Sequence, residues 1–384
     1  MSAPHAIPLA RPLIGEEEEA AVLAALRSER LSLGSRLKEF EEAFARYLGV
    51  PYASACSSGT AGLHLALRAI GLSEGAEVIT SPFSFVASAN AILYERALPV
   101  FADIDPVSLN LDPDAAAERI GPRTRALLPV DIFGYPCEIE AFEALAARHG
   151  LGLVEDACEA LGARYRDGSA VGSRGHPAVF GFYANKQITT GEGGMVAVAD
   201  RALKEQIDSE RNHGRGPELS LLEHERLGFN YRLSELAAAL GIVQLGRLPE
   251  LLAQRERVAR LYHDALEQLA VATHAGEELL LPGAAPEGAR RSWFVYVVAL
   301  PRRCDRGAVI AQLARRGIAS KPYLPAIHLL PHFRERFGYK KGMFPVCEEV
   351  SERSLALPFY PQMSEGEVQR VTEALAAALG APAP

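Results

Sequence analysis

Three short segments carry residue types that could do chemistry together. The first runs Val179-Phe180-Gly181-Phe182-Tyr183-Ala184-Asn185-Lys186-Gln187-Ile188-Thr189-Thr190-Gly191-Glu192-Gly193-Gly194-Met195. Its lysine follows an aromatic, apolar run and precedes a Gly/Thr turn. An apolar setting lowers a lysine's pKa, and the neutral amine is the form that makes a Schiff base with an aldehyde. The second is Leu153-Val154-Glu155-Asp156-Ala157, an apolar run ending in two adjacent carboxylates. Side chains alternate along a strand, so one of these acids can face a ligand while the other faces away. The third is Ser57-Ser58-Gly59-Thr60, directly before an amphipathic helix. Free N–H groups at such a helix start can cradle a phosphate. A plain N-cap by Ser57 or Ser58 fits the same residues, and the segment alone does not choose between the two.

An amine, an acid and an anion cradle together match a ligand with an aldehyde, a ring nitrogen and a phosphate, which describes pyridoxal phosphate. Asp156 and Lys186 are 30 positions apart. That is about one strand-helix-strand excursion, so both can reach the same edge of a parallel sheet. The basic residues sharpen the choice of Lys186. Lysine occurs at only 6 of 384 positions (38, 186, 204, 321, 340 and 341), while arginine supplies the rest of the 40 basic residues. A guanidinium never deprotonates, so arginine cannot replace an imine-forming amine.

The surrounding pattern supplies elements to position these groups. Near the N-terminus, Leu37, Phe40, Phe44 and Leu48 fall on one face at helical spacing. The acidic run Glu16–Glu19 reads as a solvated helix start favoured by the helix dipole. From about 52 to 200, short apolar runs alternate with amphipathic stretches. The runs are Val78-Ile79, Pro99-Val100-Phe101, Ala126 to Val130, Leu153-Val154, Val179 to Phe182 and Met195 to Val198. This predicts a mostly parallel sheet with helices on both faces. Helical stretches then cover Leu233 to Leu245 and Pro249 to Leu269. A Gly/Pro/Ala-rich linker over 275–290 leads to a strand within Trp293–Leu300. Ser364 and Glu367 form a capping-box pattern before the last helix. The expected division is a large unit over 1–250 and a small α+β unit over 251–384.

Composition narrows the function classes. The net charge is −8 with no basic stripe, which argues against a nucleic-acid partner. No apolar run approaches membrane-spanning length, and Met1 to His5 has no secretory-signal pattern. The five cysteines are scattered without a C-x-x-C, which fits cytoplasmic thiols rather than disulfides or a zinc cage, and no metal is expected. G-x-G-x-x-G, a P-loop, H-E-x-x-H and G-x-S-x-G are all missing.

With these residues in place, the chain resembles the DegT/DnrJ/EryC1/StrS family of sugar-nucleotide aminotransferases. The likeness keeps its order over nearly the whole sequence. It runs through Leu31-Ser32-Leu33-Gly34, Ser58 to Leu67, Ser81 to Asn90, Glu155-Asp156-Ala157 and the Lys186 segment. It continues through Arg211-Asn212-His213-Gly214, Gly228 to Glu235, Tyr323-Leu324-Pro325 and His328. The resemblance implies fold type I, the aspartate aminotransferase-like α/β fold. It has a large domain with a mostly parallel mixed sheet and a smaller C-terminal α+β domain. It implies that Lys186 holds pyridoxal 5'-phosphate, that Asp156 pairs with the ring nitrogen and that Phe85 stacks on the ring. Ser58, Gly59 and Thr60 would hold the phosphate, and Glu159 would lie near the ring oxygen. Asn230 would reach the phosphate of a neighbouring subunit, making a homodimer with shared active sites. Tyr183, Tyr323 and His328 would contact substrate, and glutamate would be the amino donor.

Three positions depart from the family pattern. Gly181 stands where many members have a phosphate-binding serine, Tyr183 where many have histidine, and Glu159 where glutamine or histidine is frequent. Lys186 separates the chain from the dehydratase branch, which has histidine there. Two other readings remain beside a nucleotide keto-sugar substrate: a cyclitol or other keto-substrate, and a non-catalytic regulatory protein that keeps the fold.

Overall fold

The computed structural model describes residues 6–216, 223–272 and 279–380. The start at Met1 to His5 and part of the expected linker 275–290 lie outside the described residues.

The central sheet is built from β1 (Tyr52–Cys56), β2 (Glu77–Thr80), β3 (Leu98–Phe101), β4 (Thr124–Leu128), β5 (Gly152–Leu153), β6 (Glu155–Asp156), β7 (Ala178–Gly181) and β8 (Gly194–Val198). Its two ladders run β1-β8-β7-β6 and β3-β2-β4-β5. Val154, between β5 and β6, joins them by donating to the Leu127 carbonyl at 3.0 Å. The Asp156 N–H donates to the Pro129 carbonyl at 2.9 Å. Every neighbouring pair is parallel except those of β8, which is antiparallel to both β1 and β7. The connection over residues 182–193, which carries Lys186 and the Gly/Thr segment, makes this reversal without a crossover helix, as antiparallel neighbours allow.

Alternation places apolar side chains on both faces. Val179 and Val196 pack against Leu63, Ala66 and Leu67 of the helix Gly59–Ala69. Phe180 and Phe182 face the other way, onto Phe40 and Phe44 of the helix Ser35–Leu48. The expected apolar stripe of that helix is buried at all four positions.

The acidic run at 16–19 behaves differently from its expected solvated role. Glu16, Glu17 and Glu19 are exposed, but Glu18 is fully buried. Its carboxylate accepts from the Gly15 N–H at 2.8 Å and the Gln244 amide at 2.7 Å, and it pairs with Arg247 at 2.8 Å. One acid of the run thus ties the first helix, Glu16–Leu26, to the Glu235–Gly246 helix. Removing one partner of a buried pair leaves the other charge uncompensated. Glu18→Ala should therefore cost about 3 kcal/mol of stability, read as a lower urea midpoint. An unchanged midpoint would show that the pair holds nothing.

A second sheet, order β10-β11-β9, is antiparallel throughout: β9 (Tyr296–Ala299), β10 (Lys321–Pro322) and β11 (Ser354–Leu357). Its core gathers Tyr296, Val298, Leu355 and Leu357 with Val258, Tyr262 and Leu266 of the 25-residue helix Leu248–Ala272. Ser364 and Glu367 make the expected reciprocal cap on the last helix. Ile7 joins this core by bridging Ile318. Among the described residues, no single helix is long and apolar enough to cross a membrane.

Candidate active site

The parallel strands all end at one edge of the central sheet, and a cavity of about 570 Å³ opens there. Ligands in open α/β sheets bind at this edge because loops, not ladders, fill it. The cavity gathers Ser58, Gly59, Thr60, Phe85, Asp156, Glu159, Tyr183, Lys186 and Tyr323, which leaves two of the expected site residues elsewhere.

After β1, Ser58 caps the helix Gly59–Ala69. Its hydroxyl accepts from the Ala61 N–H at 3.1 Å. Ser58 is therefore the N-cap, and the helix start it caps opens into the cavity. The approach is close. A Cβ on Gly194 would sit 2.5 Å from the Ser58 carbonyl, and one on Gly59 would sit 2.8 Å from Cys158 Sγ. Only glycine lets β8 and this turn meet.

At the end of β6 the two acids separate as alternation requires. Asp156 faces the cavity, 5% exposed, and accepts from Ser88 Oγ at 2.6 Å and from the Cys158 N–H at 3.2 Å. Ser88 comes from the helix Ala87–Tyr94 after β2, so two strand ends fix one carboxylate. Glu155 faces the opposite side, fully buried, where it accepts from Tyr165. Burial pushes Glu155 up to about 8 and raises its neighbour Asp131 well above the usual carboxylate range. Asp131, Cys137 and Glu155 form a compact cluster behind the sheet edge, all buried.

After β7 the chain turns to Lys186, whose Nζ lies 3.4 Å from Glu159 Oε1 and 4.0 Å from the centre of the Phe294 ring. The lysine backbone is held from below. Arg255, on the long helix Leu248–Ala272, donates to the Lys186 carbonyl at 2.8 Å and the Asn185 carbonyl at 3.3 Å. The same guanidinium donates to the Phe294 carbonyl at 3.1 Å. One buried cation thus binds the lysine turn and the segment carrying the ring above which the amine stands. Burial lowers Arg255 to about 10, still far above neutral pH, so it stays charged.

Phe85 and Tyr183 line the mouth with more than half of their surface exposed. Tyr323 is buried at the wall, against Phe133 and Phe294. His328 is not where the sequence expectation put it. It is fully buried outside the cavity lining, with Nε2 3.0 Å from Glu348 Oε1 and its ring against Phe344. Asn230 is exposed and also outside the lining, bridged by its backbone to Asn212. Arg232 donates to the Asn212 side chain at 3.0 Å.

This arrangement has counterparts. The DegT/DnrJ/EryC1/StrS aminotransferase family matches residues 12–376. The chain belongs to that family. It is 37% identical over 372 residues to GDP-perosamine synthase of Caulobacter vibrioides, covering 96% of this chain and 97% of that protein. It is 36% identical over 384 residues to the spore coat polysaccharide biosynthesis protein SpsC of Bacillus subtilis, covering 97% and 96%. Its structure superposes on DesV of S. venezuelae with a TM-score of 0.87 at 34% identity, covering 94% of each chain.

As a member of the DegT/DnrJ/EryC1/StrS family, the protein is a pyridoxal-phosphate-dependent aminotransferase of fold type I. The cavity's donor set fits that cofactor on its own chemistry. It offers the Lys186 amine, a carboxylate fixed by two hydrogen bonds, a capped helix start and an exposed aromatic ring, all on one cavity. Gly181 also lines the cavity, and a Cβ there would meet Cys158 atoms only at ordinary contact, 3.5 Å and beyond.

The sequence reading missed Ser88, Phe294 and Arg255 as parts of the site, and Lys321 as part of its lining. Ser88 lies inside a segment the resemblance quotes, but nothing in its spacing says that it faces Asp156. Arg255 is one of three arginines on a long helix, and only the fold shows that it is buried without a carboxylate against it among the described residues.

Proposed function

We propose that the enzyme moves an amino group from glutamate to the keto carbon of a nucleotide-diphosphate keto-sugar, in two half-reactions through Lys186. The observation that carries this reading is the placement of Lys186 and Asp156 in one cavity at the sheet edge. Pyridoxal phosphate, when bound, supplies an aldehyde for the amine and a ring that takes up the electron pair left at the donor carbon. The other tasks fall to the chain. Lys186 Nζ, once free, takes a proton from the donor Cα and later returns one to the acceptor carbon. Asp156 holds a proton on the ring nitrogen. Ser58, Gly59 and Thr60 bind the phosphate, Phe85 covers the ring face, and Tyr183 and Tyr323 contact the substrate. Asn230, exposed on the surface, is available to the phosphate of a second subunit, so the working form is a homodimer with shared sites. The sugar substrate is supported by the names of GDP-perosamine synthase and the spore coat polysaccharide protein.

The test is a screen of keto-substrates against enzyme first loaded with amine from glutamate. Loss of the amine-form spectrum with nucleotide keto-sugars supports the reading. Turnover only with cyclitol ketones or free keto-acids would replace the substrate class. No response to glutamate would overturn the donor.

Gly181 gives a separate prediction for the phosphate end. The space beside it accepts a side chain without a clash. Gly181→Ser should therefore fold normally and add one hydroxyl to the phosphate site. A hydrogen bond to a charged group is worth about 1.5–3 kcal/mol, so cofactor dissociation should tighten about tenfold or more. An unchanged dissociation constant would place the phosphate away from β7.

A further inference from the structure

Glu159 is the second acid in the cavity, and it faces the lysine amine. Its side chain is 7% exposed and that of Lys186 is 14% exposed, with 3.4 Å between Oε1 and Nζ. The other oxygen, Oε2, accepts the Phe133 N–H at 2.9 Å. Phe133 is buried with φ +56°, a left-handed conformation that a bulky residue keeps only when its surroundings enforce it. Those surroundings are present. The Phe133 carbonyl accepts from the Phe294 N–H and from Arg291 Nε, both at 3.4 Å, and its ring packs against Phe83 and Tyr323. The carboxyl is therefore anchored at one oxygen and presents the other to the amine.

The titratable groups facing Glu159 are Lys186 across the cavity, Asp156 and Cys158 on its own segment, and Tyr323 on the C-terminal wall. Burial raises the carboxyl and Asp156 adds to that, while Lys186 and the Phe133 N–H oppose it. Burial also raises Cys158 and Tyr323, so both remain neutral and hold their own protons.

We propose that Glu159 and Lys186 share one proton, and that Glu159 stores it whenever the lysine nitrogen must be unprotonated. The proposal rests on Lys186 being the amine that bonds the cofactor. In the transfer, one N–H bond of the ammonium breaks and one O–H bond forms at Oε1. The ammonium–carboxylate pair becomes an amine and a carboxylic acid, and the reverse step returns the proton. No outside acid or base takes part, and the net charge of the cavity does not change. Burial favours this exchange, because the neutral pair escapes the desolvation cost that the ion pair bears. The fraction of free amine therefore stays constant over the pH range in which the pair holds a single proton.

The test compares covalent uptake of pyridoxal phosphate by full-length, cofactor-free wild type, Glu159→Gln and Lys186→Ala, from about pH 6 to about pH 10. In Glu159→Gln the lysine must lose its proton to solvent. The wild-type rate divided by the Gln rate should then grow about tenfold for each pH unit below the variant's lysine pKa. A ratio that stays constant with pH would overturn the shared proton. Uptake by Lys186→Ala would instead overturn the assignment of the amine itself. A second readout needs no variant. Loading the wild type with pyridoxal phosphate should produce one protonated-carboxyl band in the infrared difference spectrum, and a spectrum without it contradicts the proposal.

Discussion

Replacing Lys186 by alanine should abolish transamination, with a loss of at least about ten-thousand-fold in kcat. The reason lies in how many tasks the one nitrogen performs. In the proposed mechanism it bonds the cofactor, and once released it moves the proton at the substrate carbon. No other lysine is placed to help. The only other one lining the cavity is Lys321, whose Nζ stands over the Tyr323 ring at 4.9 Å. Lys186→Arg should be as inactive as the alanine variant, since it keeps the charge but never offers a neutral nitrogen. Neither change should unfold the protein, because among the described residues the lysine's polar side-chain contact is the single pairing with Glu159. The check is a full-turnover assay with glutamate and keto-substrate, together with thermal melting. Alanine-variant turnover near the wild-type rate would remove Lys186 from the mechanism.

Asp156→Asn is expected to have the second-largest effect. The amide keeps the shape and can still accept from Ser88, so the fold should survive. It loses the negative charge that, in the proposed mechanism, holds a proton on the ring nitrogen. A preorganised electrostatic contact of this kind is worth on the order of 10²–10³ in kcat. The variant should still trap the cofactor on Lys186, because the amine is untouched. This separates the roles: Lys186 variants lose covalent capture, and Asp156→Asn retains it with slowed proton transfer at the donor carbon. Equal loss of capture in both would show that Asp156 serves only to shape the cavity.

The strands were legible because a parallel sheet covered on both faces demands uninterrupted apolar runs, and these stand out between polar helices. Val179 to Phe182 and Met195 to Val198 both fall on observed strands. The direction of β8 was not legible, since an apolar run has the same composition whichever way it runs. Lys186 stood out because lysine is scarce in this chain, whereas Asp156 and Ser58 each stood beside a second residue of the same kind, and only the fold shows which one lines the cavity. Glu18 and His328 show the opposite case. A glutamate in an acidic helix start and a histidine in a loop look solvated or functional in sequence. Each is instead buried by a partner more than 19 positions away, Arg247 for Glu18 and Glu348 for His328. Phe294 and Arg255 were hidden for the same reason. Their meaning comes from a contact with the Lys186 turn across a separation of 69 positions or more, and spacing along the chain carries no trace of it.

The central claim is that Lys186 is the amine through which this aminotransferase works. The direct measurement is borohydride reduction of the holoenzyme followed by peptide mapping. The account predicts one modified site, with pyridoxyl phosphate attached to the Lys186 Nζ and the visible absorbance lost on reduction. Label on another lysine, or full activity with no label on Lys186, would contradict it.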